Sequence, residues 1–276
     1  RGLMVKDRKK TRAGIGPGVG EQSSPMALMA AQGELPMPEC AIFADTGYEP
    51  DYIYEYLEFL KKELPFPIYI VNNGNIKDDM IKAVDNKERY PSPPFFVENP
   101  ETNKKGMLRR YCTTDYKIYP IIKKIRELCD VGYKQRFPKD KYVEQWIGIS
   151  TDEIQRMKPS RDKYIENKHP LIEMGMNRQQ CLIWMSKNNY PLPKKSACIM
   201  CPYHDDETWL LMKKERPNDF QQAVWFDKKI RIGLGNLKNK AYLHRSCKPL
   251  DEVEFKEKID NQMDMFDDEC EGMCGL

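Results

Sequence analysis

Short apolar runs alternate with amphipathic stretches through the first half of this chain of 276 residues, and each run stops at a turn rich in Gly, Ser, Thr or Asp. Ala41-Ile-Phe-Ala44 reads as a short buried strand ended by Asp45-Thr46-Gly47. Asp51 to Glu63 then sets Ile53, Tyr56, Leu57 and Leu60 on one helical face, and Pro67 to Val71 supplies another strand. Gln145-Trp-Ile-Gly-Ile149 is a third. Ahead of them Ala13-Gly-Ile-Gly-Pro-Gly-Val-Gly20 reads as a glycine-rich loop entering a helix. Ser24 suits its N-cap, and Pro25 suits its first position, where proline's missing donor would be unpaired in any case. Gly33 closes that helix. The order loop, helix, strand, helix, strand, helix, strand implies an α/β fold, a parallel sheet with helices on its faces. Such sheets bind ligands at the carboxyl ends of their strands. The glycine loop, Asp45-Thr46-Gly47 and Gly148 to Glu153 fall there.

The remaining segments are less regular. Asn72 to Gly106 is rich in Asn, Lys and Pro, a long excursion of the kind that serves as a functional flap or stays disordered. Ile118, Ile121, Ile122, Ile125 and Leu128 recur at helical spacing, with Pro120 placing the start of the regular helix near Tyr119. Beyond residue 158 the chain is helical and cysteine-bearing, with amphipathic stretches at Asn177 to Asn188, Asp206 to Glu215 and Pro217 to Arg231. The expected organisation is a disordered basic arm (1–12), a ligand-binding sheet domain (13–157) and a helical, cysteine-bearing C-terminal subdomain with an acidic tail (158–276).

No stretch fits a bilayer span: the most apolar one, Leu64 to Val71, contains two prolines and is far shorter than the roughly 20 residues required. The net charge of +3 is unevenly spread. Residues 1–12 carry six Lys/Arg against one Asp, and residues 251–276 carry ten acids against two Lys. Between Lys104 and Lys139 lie eleven basic side chains against three acids, interleaved with Tyr111, Tyr116, Tyr119, Tyr133 and Phe137. Such a block binds phosphates when the fold gathers it on one side, and is otherwise a solvated helix face.

Cysteine is the informative residue. Nine cysteines without a recognisable secretory signal point to the reducing cytoplasm, where thiols bind metals or do chemistry more often than they pair. Cys198-Ile-Met-Cys201 is a turn able to bring two sulfurs to one metal, and read alone it is half a zinc site or a redox dithiol. Cys112, Cys270 and Cys274 are further candidates, and four converging thiolates suit zinc or an iron-sulfur cluster alike. Cys40, Cys129 and Cys181 read as small hydrophobes. His169, His204 and His244 follow no metal spacing. Backbone donors of the glycine loop would form an anion cradle, yet no apolar strand is evident before it, since Met4 to Arg12 is nearly all polar. Trp146 to Glu153 with Arg156 reads either as a strand end presenting a hydroxyl, two carboxylates and a guanidinium, or as a helix cap at Ser150 or Thr151 followed by exposed charges.

In order along the chain, the loop 16–24, Ala44-Asp-Thr-Gly-Tyr-Glu-Pro50, Arg110-Tyr-Cys-Thr-Thr-Asp-Tyr-Lys117, Gly148 to Arg156 and Ser196-Ala-Cys-Ile-Met-Cys-Pro-Tyr203 resemble the phosphoadenosine phosphosulfate (PAPS) reductase-like branch of the PP-loop ATP pyrophosphatases, adenine nucleotide alpha hydrolases. The loop lacks the aspartate of that family's S-G-G-x-D-S pattern. The resemblance implies a Rossmann-like domain over 13–157 that binds ATP or a related adenine nucleotide. Gly16, Gly18, Gly20, Gln22, Ser23 and Ser24 would hold its phosphates, with Asp45 and Thr46 at the adenosine or Mg side. Arg109, Arg110 and Lys117 would meet the phosphate charge, and Gly148 would also contact the nucleotide. It further implies a cluster, 4Fe-4S or with zinc as the alternative metal, on Cys112, Cys198, Cys201 and Cys270, and sulfur transfer onto tRNA or DNA from a separate sulfur donor. A different member activity, sulfonucleotide reduction, would use Cys274 as nucleophile and a thioredoxin-type reductant. A third possibility is a zinc-stabilised nucleic-acid-binding module without catalysis.

Overall fold

The computed structural model describes residues 9–15, 19–86, 93–99, 101–132, 134–231 and 239–256. Its centre is a five-stranded sheet made of β1 (Lys9–Ile15), β2 (Cys40–Ala44), β3 (Ile68–Val71), β6 (Lys141–Trp146) and β7 (Ile165–Lys168). The strand order is β3-β2-β1-β6-β7, and every pairing is parallel. Mixed α/β architecture with a parallel sheet is thus as expected from the alternation of elements.

β2 shows why the sheet is covered on both sides. Its five residues are all buried, and successive side chains go to opposite faces. Ala41 and Phe43 pack with α1 (Ser23–Ala31), α2 (Asp51–Glu63) and α6 (Arg178–Lys187). Cys40, Ile42 and Ala44 pack with Ile121 and Ile125 of α4 (Tyr119–Leu128). α1 is buried from Ser23 to Ala30, so it needs no polar face. α2 carries Asp51 in its first turn and Lys61 and Lys62 in its last, matching the helix dipole.

A third core lies beside the sheet. α7 (Asp206–Glu215) and α8 (Pro217–Arg231) bury Trp209, Met212, Phe220 and Phe226 against Ile76 and Met80 of α3 (Ile76–Asn86). A small antiparallel sheet, β4 (Phe96–Glu98) between β5 (Lys105–Met107) and β8 (Lys240–Tyr242), completes it. This core therefore draws on the middle of the chain as well as the end, while α6 contributes Cys181 and Met185 to the sheet's own core.

Several expectations need correction. A strand does precede the glycine loop: β1 is polar in sequence but central, its backbone pairing with β2 on one side and β6 on the other. Residues 9–12, expected in a disordered arm, belong to it, and β7 carries the sheet beyond residue 157. The excursion after Asn72 holds α3, β4 and β5 rather than a plain flap. α1 begins at Ser23 with Gln22 as its cap residue, two residues earlier than the Ser24 and Pro25 signals indicate. The third sequence-read strand ends at Trp146 instead of Ile149. Among the described residues no helix is long and apolar enough to cross a membrane.

Candidate functional site

Two neighbourhoods at the carboxyl edge of the sheet collect the residues singled out above. The first lies where β1 meets β6, the point at which strand order reverses and open α/β sheets leave a crevice. Gly20, Gln22 and the start of α1 are buried there, with Glu21 partly exposed between them. A Cβ on Gly148 would come 2.5 Å from Ser23 Oγ and 2.9 Å from its backbone nitrogen, so only glycine lets the two segments touch. Gln22 donates from Nε2 to Ser150 Oγ (2.9 Å) and to Glu153 Oε2 (2.8 Å). Ser150 donates to Asp152 Oδ1 (2.5 Å), and Arg156 pairs with Glu153 Oε1 (2.5 Å). Arg178 pairs with Glu21 and gives its backbone N–H to the Asp152 carboxylate. Glu153 is only 3% exposed, which corrects the expectation of a capped helix with solvated charges: Thr151–Arg156 is a short 3-10 turn without a side-chain cap, its central carboxylate turned inward.

The second neighbourhood is a pocket beyond the end of β2. Gly47 turns the chain with φ +74°, and its N–H donates to Asp45 Oδ1 (2.7 Å), which also accepts from Tyr54 Oη (2.9 Å). Asp45 thus organises the turn. Thr46 enters the pocket, which is lined by Cys112, Cys198 and Cys201 together with Arg110 and Lys117, and measures about 450 Å³ including its open mouth. Most of the remaining wall is apolar, with Ile76, Pro93, Pro94 and Met200.

The Cys198–Cys201 turn is held by the Cys201 N–H donating to Cys198 O (3.0 Å) and by Ile199 N–H donating to Tyr48 O (3.0 Å). His204 lies 3.0 Å by Nε2 from Cys198 O, so Nε2 carries the proton. Burial pushes this imidazole down to about 4, and it meets Trp209 edge-on at 4.8 Å. Thr46 Oγ1 sits 3.2 Å from Cys198 Sγ and donates to Glu49 Oε1 (3.2 Å), to which Cys198 Sγ also comes within 3.8 Å. Lys117 Nζ stands 3.6 Å from the same oxygen. Glu49, whose side chain is fully enclosed, was not anticipated from the sequence; its only signal was membership of the Asp45–Pro50 run. Arg110 donates from Nε to Thr113 Oγ1 (2.7 Å) and lies 5.3 Å over the ring of Tyr203.

Of the expected ligands, the fold brings Cys112, Cys198 and Cys201 to one pocket. Gly16, Gly18, Cys270 and Cys274 lie outside the described residues. Arg110 and Lys117 stand with the thiols, and Arg109 is exposed on the chain beside them. Among the described residues no group of three His, Cys, Asp or Glu is placed so that it could hold a metal ion. Cys40, Cys129 and Cys181 pack in the two cores of the sheet.

On the far side of the cysteine turn a larger cleft, about 1270 Å³ with its mouth, runs from Glu21 and Arg178 past Tyr52 and Lys194 to His204 and Arg216. It links the turn before α1 to the back of the Cys198–Cys201 loop. Tyr52 is approached there by Lys194 (5.3 Å) and Arg216 (4.8 Å). No family model and no curated protein matches this chain.

Proposed function

We propose that this chain is a PAPS reductase-like PP-loop enzyme: it binds an adenine nucleotide and Mg on a Rossmann-like sheet, holds an iron-sulfur cluster, and transfers sulfur onto a nucleic acid. The observation that carries the reading is that three cysteines from separate halves of the chain line one pocket with Thr46, Arg110 and Lys117 at the carboxyl edge of a parallel sheet. The strand order and the buried turn before α1 support the nucleotide half of it.

The donor set fits a cluster in kind, since thiolates are its usual ligands and two cations beside an apolar wall suit its charge. In position it is not a closed site among the described residues. Cys112, Cys198 and Cys201 would hold the cluster, with Cys270 as the fourth ligand. When bound, such a cluster would supply thiophilic, redox-active iron beside the sulfur being transferred.

The chain's own groups do the rest. Backbone donors of the turn and of the start of α1 hold the phosphates. The cleft between Glu21 and His204 gives a nucleotide a path from that turn to the cysteine loop. Arg110 and Lys117 offset negative charge beside the thiols. An acceptor oxygen attacks the α-phosphorus of ATP and pyrophosphate leaves; sulfur then replaces that oxygen as AMP departs. A separate donor supplies the sulfur. Ligating thiols need a reducing compartment, and the cytoplasm is the one proposed.

Anaerobic purification tests this reading. The expected product is a brown protein with about four iron and four sulfide per chain that releases pyrophosphate from ATP when nucleic acid is added. A colourless protein with stoichiometric zinc, or sulfite release from PAPS in the absence of nucleic acid, would overturn it.

A further inference from the structure

The basic and aromatic block divides in two once folded. Its second part is engaged internally only at two cations: Lys124 pairs with Glu127 (2.7 Å) and lies over Tyr69, and Arg126 donates to the carbonyls of Gly132 (2.7 Å) and Gln135 (2.5 Å), while Lys123, Lys134, Arg136 and Lys139 are exposed away from any lining of the cysteine pocket. Its first part, Lys104 to Lys117, has five cations against one acid, and its end lines the cysteine pocket through Arg110, Cys112, Thr113 and Lys117. Tyr111 stands between two lining residues, Arg110 and Cys112, yet is 44% exposed, and Met107 is 39% exposed. Lys104, Lys105 and Arg109 are exposed on the same stretch. An aromatic ring left in solvent among cations, at the edge of an apolar pocket, is the arrangement that stacks an unpaired base while its phosphates meet the cations. A duplex keeps its bases stacked inside and offers such a ring nothing.

We infer that the rim Lys104–Tyr111 binds single-stranded nucleic acid and presents one unstacked base to the cysteine pocket. The inference rests on the proposed function for what happens to that base, and on the rim alone for the binding. Phosphate contacts come from Lys104 and Arg109, since Lys105 is tied to Ser246 O (2.7 Å); stacking comes from Tyr111, and Arg110 over Tyr203 forms the inner wall.

The test is fluorescence anisotropy on the full 276-residue chain, with labelled DNA and RNA strands of about 12 nucleotides and their duplexes. Measurements at about 50 and 200 mM salt give the electrostatic slope. Single strands are expected to bind at least about ten-fold tighter than duplexes, and Y111A to weaken them about five-fold or more. R109A should lower affinity and reduce the salt slope by about one. K123A, on the exposed face of α4, should stay within about two-fold of the parent. A bound strand should also slow alkylation of Cys112 by iodoacetamide. The DNA and RNA arms decide which strand is preferred. Circular dichroism melting establishes that each variant is folded. Equal competition by duplex, parental affinity in both Y111A and R109A, or unchanged Cys112 alkylation would each overturn the inference. Iron and sulfide analysis of the same preparation separates the two claims: strand binding that depends on Tyr111 in an iron-free protein refutes the cluster alone, while an iron-loaded protein that ignores single strands refutes the rim alone.

Discussion

The crevice at β1 and β6 and the pocket beyond β2 lie along one sheet edge but are built in opposite ways. In the crevice the polar side chains are spent on one another: Gln22 bridges Ser150 and Glu153, and Arg156 neutralises Glu153. The two segments that carry these groups are brought together by the contact of Gly148 with Ser23. In the pocket the wall is mostly apolar, broken by a hydroxyl, three thiols and two cations. The contrast teaches that side chains bonded to one another, as in the crevice, are committed to the fold, whereas those set in an apolar wall, as in the pocket, are less so.

Substitutions in the two regions should therefore diverge. The largest effect is expected from E153A, which strands the Arg156 guanidinium and the Gln22 amide in a buried place and should cost about 3–5 kcal/mol, read as a fall in the urea midpoint at unchanged slope. A loss no greater than that of a surface residue would mean that the network does not hold the crevice. G148A comes next, since its Cβ meets the backbone of Ser23 and not merely a movable side chain; about 1–3 kcal/mol should be lost by the same measurement. In the pocket T46V removes the hydroxyl shared by Glu49 and Cys198 and should cost about 1 kcal/mol, with faster alkylation of Cys198 as the accompanying sign. C198S should leave the unfolding midpoint within about 1 kcal/mol of the parent while abolishing iron binding under the proposed function; a collapse in stability would break the comparison.

The smallest effect at neutral pH belongs to His204. Its folded pKa, about 4, lies below the ordinary 6.5 because the ring is buried. The unfolded chain thus binds the proton more readily, and stability is fully present above about 6.5 and is lost as pH falls toward 4. Chemical denaturation across that window should show a flatter pH dependence in H204Q than in the parent. Equal slopes would mean that the ring is not neutral behind the cysteine turn.

Much of the architecture is legible in the residues themselves. α2, α7 and α8 run over the spans that their periodicity indicates, because a helix that buries one face writes that face into its spacing. β2 is readable because both its faces are buried and its apolar run is short. β1 is not readable: Lys9 to Ile15 carries no apolar pattern, and its place at the centre comes from hydrogen bonds to strands far away in the chain. α3 is hidden for a related reason, an Asn- and Lys-rich composition whose apolar positions, Ile76, Met80 and Ala83, gain meaning only against α8.

The amino-acid order alone determined the α/β alternation, the glycine-dependent turns and the kind of atom available for chemistry, because each of these follows from local geometry or residue type. Tertiary structure alone decided that Cys112 lines one pocket with Cys198 and Cys201, that Glu49 stands behind them, and that the basic block places Arg110 and Lys117 in that pocket but Lys124 in a surface pair with Glu127. Those are contacts between distant segments, and they depend on how helices and strands stack, which no local pattern encodes.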